Sequence, residues 1–297
     1  MFKKFASLIT LSAFVFSLSA QIAYRIEINS KLNDGDTLIL ANYFGDKQYA
    51  KDTAFAQNGK ALFSGQNALS NGVYLVVMPQ KNYFEILIPK EDQNFELDVP
   101  EDLNPQNIVV RGSKDNTLFL EFGAFAQEQG KKARDIRAAF QKAKSEKEKK
   151  ELREKNANIA NSVSQMRLDL AKANPETFAS KVFMSMTDVE IPDAPKDLDD
   201  EAQKEWTYNY YKKHYWDNVD LSEDGLVRTP VFHNKLKHYI QKIYPQVPDS
   251  VIAGADRLIN KIDEEKAPEL FHFAVWWLTN TYEENKTVCM DKMLHYM

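Results

Sequence analysis

Apolar and polar residues alternate with a period of two in the first part of the chain, which is typical of strands with one buried face. Residues 23–29 show this alternation most clearly. Further short apolar runs, separated by turn-forming residues, predict strands at 37–40, 61–63, 73–77, 84–88, 95–99 and 108–110. Asn58-Gly59 predicts a type I′ hairpin turn, because both residue types tolerate a positive φ. We therefore expect residues 21–113 to form a small antiparallel β-sandwich or barrel of about seven strands.

From about Thr117 onward the apolar residues recur every three or four positions, which predicts α-helices. Two such stripes, at 118–140 and 152–170, have a spacing close to that of a coiled-coil seam. The charged run 145–150 between them is either a hairpin turn or a solvated bridge. Residues 114–174 are thus predicted to be a long helical connector or hairpin.

The last part of the chain, residues 175–297, has the pattern of an α-helical bundle. Asn174-Pro175 and Thr229-Pro230 each place a capping residue before a proline, which predicts a helix start. Helical apolar stripes cover 232–243, 252–262 and 270–282, whereas the prolines in 192–200 predict a loop. The predicted fold class is therefore α+β: an N-terminal antiparallel β-sandwich or barrel, a helical connector and an α-helical bundle.

Residues 1–20 have the pattern of a secretory signal peptide. Lys3 and Lys4 precede a largely apolar stretch, 5–18, and small residues follow it, with cleavage expected after Ser19 or Ala20. The alternative is a buried or anchoring N-terminal helix. The junction has no cysteine for a lipid anchor, and no later apolar run approaches the ~18 residues of a membrane span. We expect a periplasmic or secreted protein that does not span the membrane once the signal is removed.

Charge and composition exclude several function classes. With 38 Lys and Arg against 43 Asp and Glu, the net charge of −5 argues against a nucleic-acid partner. Residues 114–174 carry a net +5 between flanks of −4 and −8, but acidic residues interleave with the basic ones. A solvated helical face with Glu–Lys pairs is therefore favoured over a surface for acidic partners or anionic lipids. The glycines form no Gly-x-Gly phosphate cradle, and no cofactor is predicted.

Metal and catalytic motifs are incomplete. Residues 220–225 resemble the first half of an EF-hand loop, but Val231 stands where the bidentate glutamate belongs, so an acidic inter-helix loop is favoured. His233 and His238 are five residues apart, whereas a zincin pair needs four. We therefore predict no metal site and no catalytic residues.

Two features remain as candidate interaction sites. One is a dense aromatic stretch that could present rings to a partner; its members are Trp206, Tyr210, Tyr211, His214, Tyr215 and Trp216. The alternative is that these rings pack into the core of the bundle. The other is Cys289, the single cysteine, which could form mixed disulfides in an oxidising compartment or serve as a small half-buried apolar residue.

The sequence also resembles a known domain arrangement. The segments 42–47, 52–54, 58–65, 72–74 and 112–116 look like the small β domain of unknown function at the N-terminus of exported bacterial thiol–disulfide oxidoreductases. The segments 210–218, 228–232 and 248–250 are similar to the helical domain of unknown function that follows it. In that family a thioredoxin-like domain with a Cys-x-x-Cys pair comes next and performs the redox chemistry.

This sequence has no Cys-x-x-Cys pair, so the resemblance implies an exported, non-catalytic accessory module. Its partner would be a thioredoxin-like domain or another periplasmic protein. Two alternatives remain open: a truncated or split thiol–disulfide oxidoreductase, and a periplasmic protein that binds carbohydrate or peptide through its aromatic helix.

Overall fold

The computed structural model describes residues 23–283, and its N-terminal part is built from two four-stranded sheets. The strands are β1 (Tyr24–Asn29), β2 (Thr37–Phe44), β3 (Lys47–Phe55), β4 (Lys60–Gly65), β5 (Gly72–Val77), β6 (Tyr83–Ile88), β7 (Asn94–Asp98) and β8 (Val109–Arg111). One sheet has the order β4-β1-β7-β8 and the other β3-β2-β5-β6. Residues of both sheets, among them Ile26, Leu40 and Ile86, meet in one buried core. The region is therefore a β-sandwich.

Two details of the sandwich differ from the sequence prediction. Strand β3 was not predicted, because it is an edge strand in which only Ala54 is buried, so it has no alternating apolar face. Strands β1 and β7 pair in parallel, so their sheet is mixed rather than purely antiparallel. The cause is the path of the chain, which forms β5 and β6 in the opposite sheet before β7 returns beside β1.

The Asn58-Gly59 turn is confirmed, with φ values of 53° and 75°. A backbone bridge between Gln57 and Lys60 closes it. The flanking strands nevertheless belong to different sheets, because β3 pairs with β2 and β4 pairs with β1. The tight turn is thus the point where the chain crosses from one sheet to the other.

In the described part of the chain, seven α-helices follow the sandwich, which confirms the α+β class. They are α1 (Lys114–Lys142), α2 (Glu146–Ala173), α3 (Phe178–Ser185), α4 (Asp200–His214), α5 (Pro230–His238), α6 (Pro248–Ile259) and α7 (Pro268–Glu283). Helices α1 and α2 form a long hairpin whose turn is residues 143–145. Ser145 caps α2 by accepting a hydrogen bond from the Glu148 amide. The charged run 145–150 is therefore mostly the first turn of α2.

Of the two helix starts predicted from a capping residue followed by proline, one is confirmed and one is wrong. Thr229 caps α5, and its hydroxyl accepts a 3.4 Å hydrogen bond from the Phe232 amide. The start predicted at Asn174 is wrong: α3 begins at Phe178 and is capped by Thr177. Asn174 instead ends α2, since its side-chain amide donates to the Leu170 carbonyl at 2.9 Å.

The helical core contains the predicted apolar stripes of the last helices. Leu236 of α5, Leu258 of α6 and Leu270 and Leu278 of α7 are all fully buried in one cluster. Among the helices of residues 23–283, none combines the length and the apolar character that crossing a membrane requires.

Close backbone approaches join the sandwich to the helical region. Gly45 has a φ of 62°, and a Cβ atom there would lie 2.4 Å from the Phe273 ring of α7. At Gly72 a Cβ atom would lie 2.4 Å from Cβ of Arg228. Arg228 is itself buried and forms an ion pair with Glu269. These contacts hold the sandwich against the helical region.

Candidate functional site

Helix α4, which carries most of the predicted aromatic site, lies on the surface of the helical region. Asp199 caps it by accepting hydrogen bonds from the amides of Glu201 and Ala202. Acidic residues in its first turn and basic residues in its last turn complement the helix dipole. None of its residues is fully buried. The Tyr208 hydroxyl ties it to the body of the protein by donating a 2.6 Å hydrogen bond to the Ile243 carbonyl.

The first group of predicted residues, Trp206, Tyr210 and His214, forms a stack along one face of α4. Their spacing of four residues places the rings over one another, with centroid distances of 5.2 Å and 4.2 Å. The His214 ring also contacts the Asp217 carboxylate, with 2.6 Å between Nδ1 and Oδ2. A ring that binds a sugar must offer its free face, but here the facing ring surfaces already contact each other. The stack is therefore better suited to stabilising α4 than to holding a carbohydrate.

The second group, Tyr215 and Trp216, lies in the core rather than on the surface. Only 4% of Tyr215 and 2% of Trp216 is exposed, and both rings pack against Tyr239. The two residues directly follow α4, where the chain turns inward. The surface available to a partner is therefore narrower than the sequence predicts.

Tyr211 connects the predicted residues to open space, because it lines two clefts beside α4, and the edge of the mostly buried Tyr215 lines one of them as well. The outer cleft has a volume of about 730 Å³ and lies between α4 and the loop 191–194. The middle cleft has a volume of about 570 Å³ and lies between α3, α4 and α5. The Tyr211 ring is held edge-on against Tyr215, with ring centroids 5.5 Å apart.

A third, apolar cleft of about 530 Å³ lies where the sandwich meets the helices. Its walls come from β5, β6, α1 and α3, and they include Val73, Phe84, Phe122 and Val182. Among the residues that the structure describes, Glu85 is the only charged one in this lining, and its carboxylate accepts a 2.7 Å hydrogen bond from the Tyr43 hydroxyl.

The three clefts lie next to one another and share lining residues. Met186 and Val231 line both the apolar and the middle cleft, and Tyr211 lines both the middle and the outer cleft. We refer to these adjoining clefts, from the apolar cleft past Lys235 to the loop 191–194, as the groove. Chemically it offers an apolar end, a charged middle and a mixed outer end.

Two cationic side chains set the electrostatics of the middle of the groove. Lys235 lines the cleft, and its Nζ lies 4.7 Å from the centroid of the Tyr215 ring. Burial lowers the pKa of Lys235, and the nearby Arg167 lowers it further while Asp188 opposes the shift. Burial likewise lowers the pKa of the Arg167 guanidinium, whose Nε is buried without a hydrogen-bond partner among the described residues.

The other candidate sites contribute nothing to the groove. Lys181 pairs with Glu223 at 2.5 Å and with Asp220 at 3.2 Å, so two carboxylates of the half EF-hand loop are bound to an ammonium group. Within residues 23–283, no group of three or more His, Cys, Asp or Glu side chains is placed to hold a metal ion. Cys289 and the predicted signal 1–20 lie outside the described residues.

Comparison with known families gives one match in the N-terminal part of the chain and another in the C-terminal part. The model described as Domain of unknown function (DUF5106) matches residues 142–297, which is more than half of the sequence. The chain belongs to the DUF5106 family. The model described as Domain of unknown function (DUF4369) matches residues 24–119 and thus spans the β-sandwich. No curated protein and no solved structure matches the chain.

The groove draws on both family segments. Met186, Tyr211, Val231 and Lys235 lie in the DUF5106 segment, whereas Val73 and Phe84 come from the DUF4369 segment. Sequence reasoning missed Lys235 and Arg167 because no local motif marks them. They lie on α5 and α2, which both pack against α3, so they come near each other only in the folded chain. Of the predicted aromatic stretch, only Tyr211 and Tyr215 line the described groove, and Tyr215 is mostly buried.

Proposed function

We propose that this DUF5106 protein is a non-catalytic accessory module that holds a segment of a partner protein in the groove. The observation that carries this proposal is that neighbouring clefts share Met186, Val231 or Tyr211 as a common wall. A series of open, adjoining clefts suits an extended polypeptide, which places successive side chains in successive sites. A small molecule needs a single enclosed site instead.

The residues at the junctions of the clefts also support a protein partner. Tyrosine is enriched at the energetic centres of protein interfaces, since its ring provides contact area and its hydroxyl a hydrogen bond. Tyr211 has this position between two clefts, and the flexible, half-exposed Met186 has it at the other junction. Methionine is frequent at adaptable binding surfaces because its side chain fits irregular partners.

The proposed partner is a thioredoxin-like domain, and the proposed location is the periplasm. Support for the location comes from the signal-like pattern of residues 1–20. Support for the partner comes from the resemblance of both domains to those that precede a thioredoxin-like domain in exported oxidoreductases. In this proposal the partner performs the thiol chemistry, and the sandwich and the helices together position it.

The test is a binding titration with two matched variants. The titrant is a purified thioredoxin-like domain from a related chain in which it follows the same two modules. Tyr211→Ala should weaken its binding to the full chain by about tenfold or more, the loss typical of a hot-spot residue. Tyr210→Ala removes the neighbouring ring, which belongs to the stack on a different face of α4, and should leave the dissociation constant within about twofold.

Several results would contradict the proposal. One is the absence of binding between the wild-type chain and any such domain. Another is an equal effect of the two tyrosine variants, which would move the contact away from the groove. A third is thiol–disulfide turnover by the chain alone that disappears in Cys289→Ser, since the chain would then be the enzyme.

A further inference from the structure

Lys235 in the middle cleft and Arg167 near it together carry more positive charge than Asp188, the acidic residue of that cleft, balances. Lys235 and Arg167 are both partly buried, and neither forms an ion pair with a described residue. Asp188, the acidic group that attracts both cations, is exposed at the rim of the middle cleft. Partly buried cations without a close carboxylate are costly, because burial removes water without replacing it by a counter-charge.

The direction in which Lys235 points makes this charge available to a ligand. Its ammonium group lies over the Tyr215 ring, which attracts the cation through the π face and holds it at the wall of the cleft. An ammonium group in this position can still donate hydrogen bonds into the cleft. A carboxylate placed there would gain a charge-assisted hydrogen bond in a partly dehydrated site.

The neighbouring apolar cleft disfavours a carboxylate, in contrast to the middle cleft. Its lining is aromatic and aliphatic, and its single charged residue is the Glu85 carboxylate, so an acidic group there would meet a like charge. A bulky apolar side chain would fill it instead. Because Met186 and Val231 form walls of both clefts, the two preferences apply to neighbouring positions of one ligand.

We propose that the groove recognises an extended polypeptide segment in which an acidic residue stands beside a bulky apolar one. The carboxylate sits on Lys235, and the apolar side chain enters the cleft between the sandwich and α1. This inference rests on the proposed function, because it specifies the segment that the groove holds.

The experiment is an NMR titration of the full chain with four capped peptides of one Gly/Ser frame. Their central pairs are Glu-Phe, Gln-Phe, Lys-Phe and Glu-Ala. Glu-Phe should bind best. Replacing the charge or the ring should each weaken binding by about tenfold, as expected for a buried charge-assisted hydrogen bond or a filled apolar site. Sodium 3-phenylpropionate, a carboxylate with a ring but no peptide, is the comparison ligand.

Two protein variants test whether Lys235 causes the preference for the glutamate-containing peptide. Lys235→Met should bind Glu-Phe and Gln-Phe equally, because the group that distinguishes them is gone. Lys237→Met removes an exposed lysine two residues away on the same helix and should keep the full preference. Removing the partly buried charge of Lys235 is not expected to unfold the chain, and the NMR spectrum reports this directly.

The outcomes separate this inference from the proposed function. Equal binding of all four peptides, or an undiminished preference in Lys235→Met, overturns the inference. So does binding of phenylpropionate as tight as that of Glu-Phe, which would assign the site to small aryl acids. If no peptide binds while the thioredoxin-like domain still does so with sensitivity to Tyr211→Ala, the inference fails and the proposed function stands. If neither binds, both fail.

Discussion

The side-chain amide of Asn116 exchanges two hydrogen bonds with the backbone of Leu87, in the manner of a neighbouring strand. The Leu87 amide donates to Oδ1 and the Leu87 carbonyl accepts from Nδ2, each at 2.8 Å, and both residues are fully buried. Asn116 belongs to the first turn of α1, and Leu87 belongs to β6. This pair therefore joins the helical hairpin to the sandwich beside the apolar cleft.

We expect Asn116→Ala to destabilise the protein by about 2–4 kcal/mol, because it leaves two buried backbone groups of Leu87 without partners. Urea denaturation followed by circular dichroism measures the loss. Asn156→Ala, at an exposed position of α2, is the matched control and should change the free energy of unfolding by less than about 0.5 kcal/mol. Similar values for the two variants would contradict the assigned role of Asn116.

The contact between Gly45 and α7 can be tested separately from the backbone conformation of the glycine. Gly35 and Gly45 both have positive φ, but a Cβ atom at Gly35 would meet nothing within 4 Å. Gly35→Ala should cost about 1–2 kcal/mol of unfolding free energy from backbone strain alone. Gly45→Ala should cost at least about 1 kcal/mol more, because its methyl group overlaps the Phe273 ring. Equal losses would show that the junction tolerates the methyl group.

His233 predicts a pH dependence of stability. Burial lowers its pKa from the ordinary value of 6.5, with Lys237 lowering it and Asp46 opposing the shift. A buried neutral histidine binds its proton less readily in the folded than in the unfolded state. Its contribution to stability is therefore fully present above about pH 6.5 and is lost as the pH falls below that value, toward the lower folded-state pKa.

The measurement is the free energy of unfolding between pH 5 and pH 8, compared among the wild type and two variants, with both limits chosen to bracket the ordinary histidine pKa of ~6.5. His233→Phe keeps an aromatic ring beside Phe273 and Trp277 and should flatten the acidic part of the profile. His272→Gln, at an exposed position, should leave the profile unchanged. A profile that keeps its slope in His233→Phe would assign the pH dependence to other groups.

The aromatic stack of α4 should affect local stability rather than binding. Tyr210→Ala breaks both ring contacts of the stack and should cost about 0.5–1.5 kcal/mol. Because α4 has no fully buried residue, we expect faster amide hydrogen exchange confined to this helix. Unchanged exchange in α4 would show that the stack does not stabilise it.

Local pattern was sufficient to predict most of the fold. The stripe that includes Leu270, Leu278 and Tyr282 predicts α7, and all three side chains are buried. The Asn58-Gly59 turn was predictable because its positive φ values depend on two adjacent residue types. Asn174 was misread because the same residue types that begin a helix can also end one.

Features that depend on distant parts of the chain were not predictable in this way. The parallel pairing of β1 with β7 joins residues that are about seventy positions apart, such as Ile26 and Phe95. The groove also depends on residues that are distant in sequence, since its walls include Val73, Met186 and Lys235. The aromatic stretch predicted a surface, but only the three-dimensional arrangement separates Tyr211 from the buried Tyr215.

The most direct test of the binding groove is hydrogen exchange of the full chain with and without the thioredoxin-like domain. The account predicts slower exchange at residues 184–191, 207–215 and 231–238, which contribute to the middle and outer clefts of the groove. The alternative surface is the cleft of about 340 Å³ beside Tyr49 and the half-exposed Trp276. Protection confined to that second surface, or no protection within residues 23–283, would contradict the assignment of the groove as the binding site.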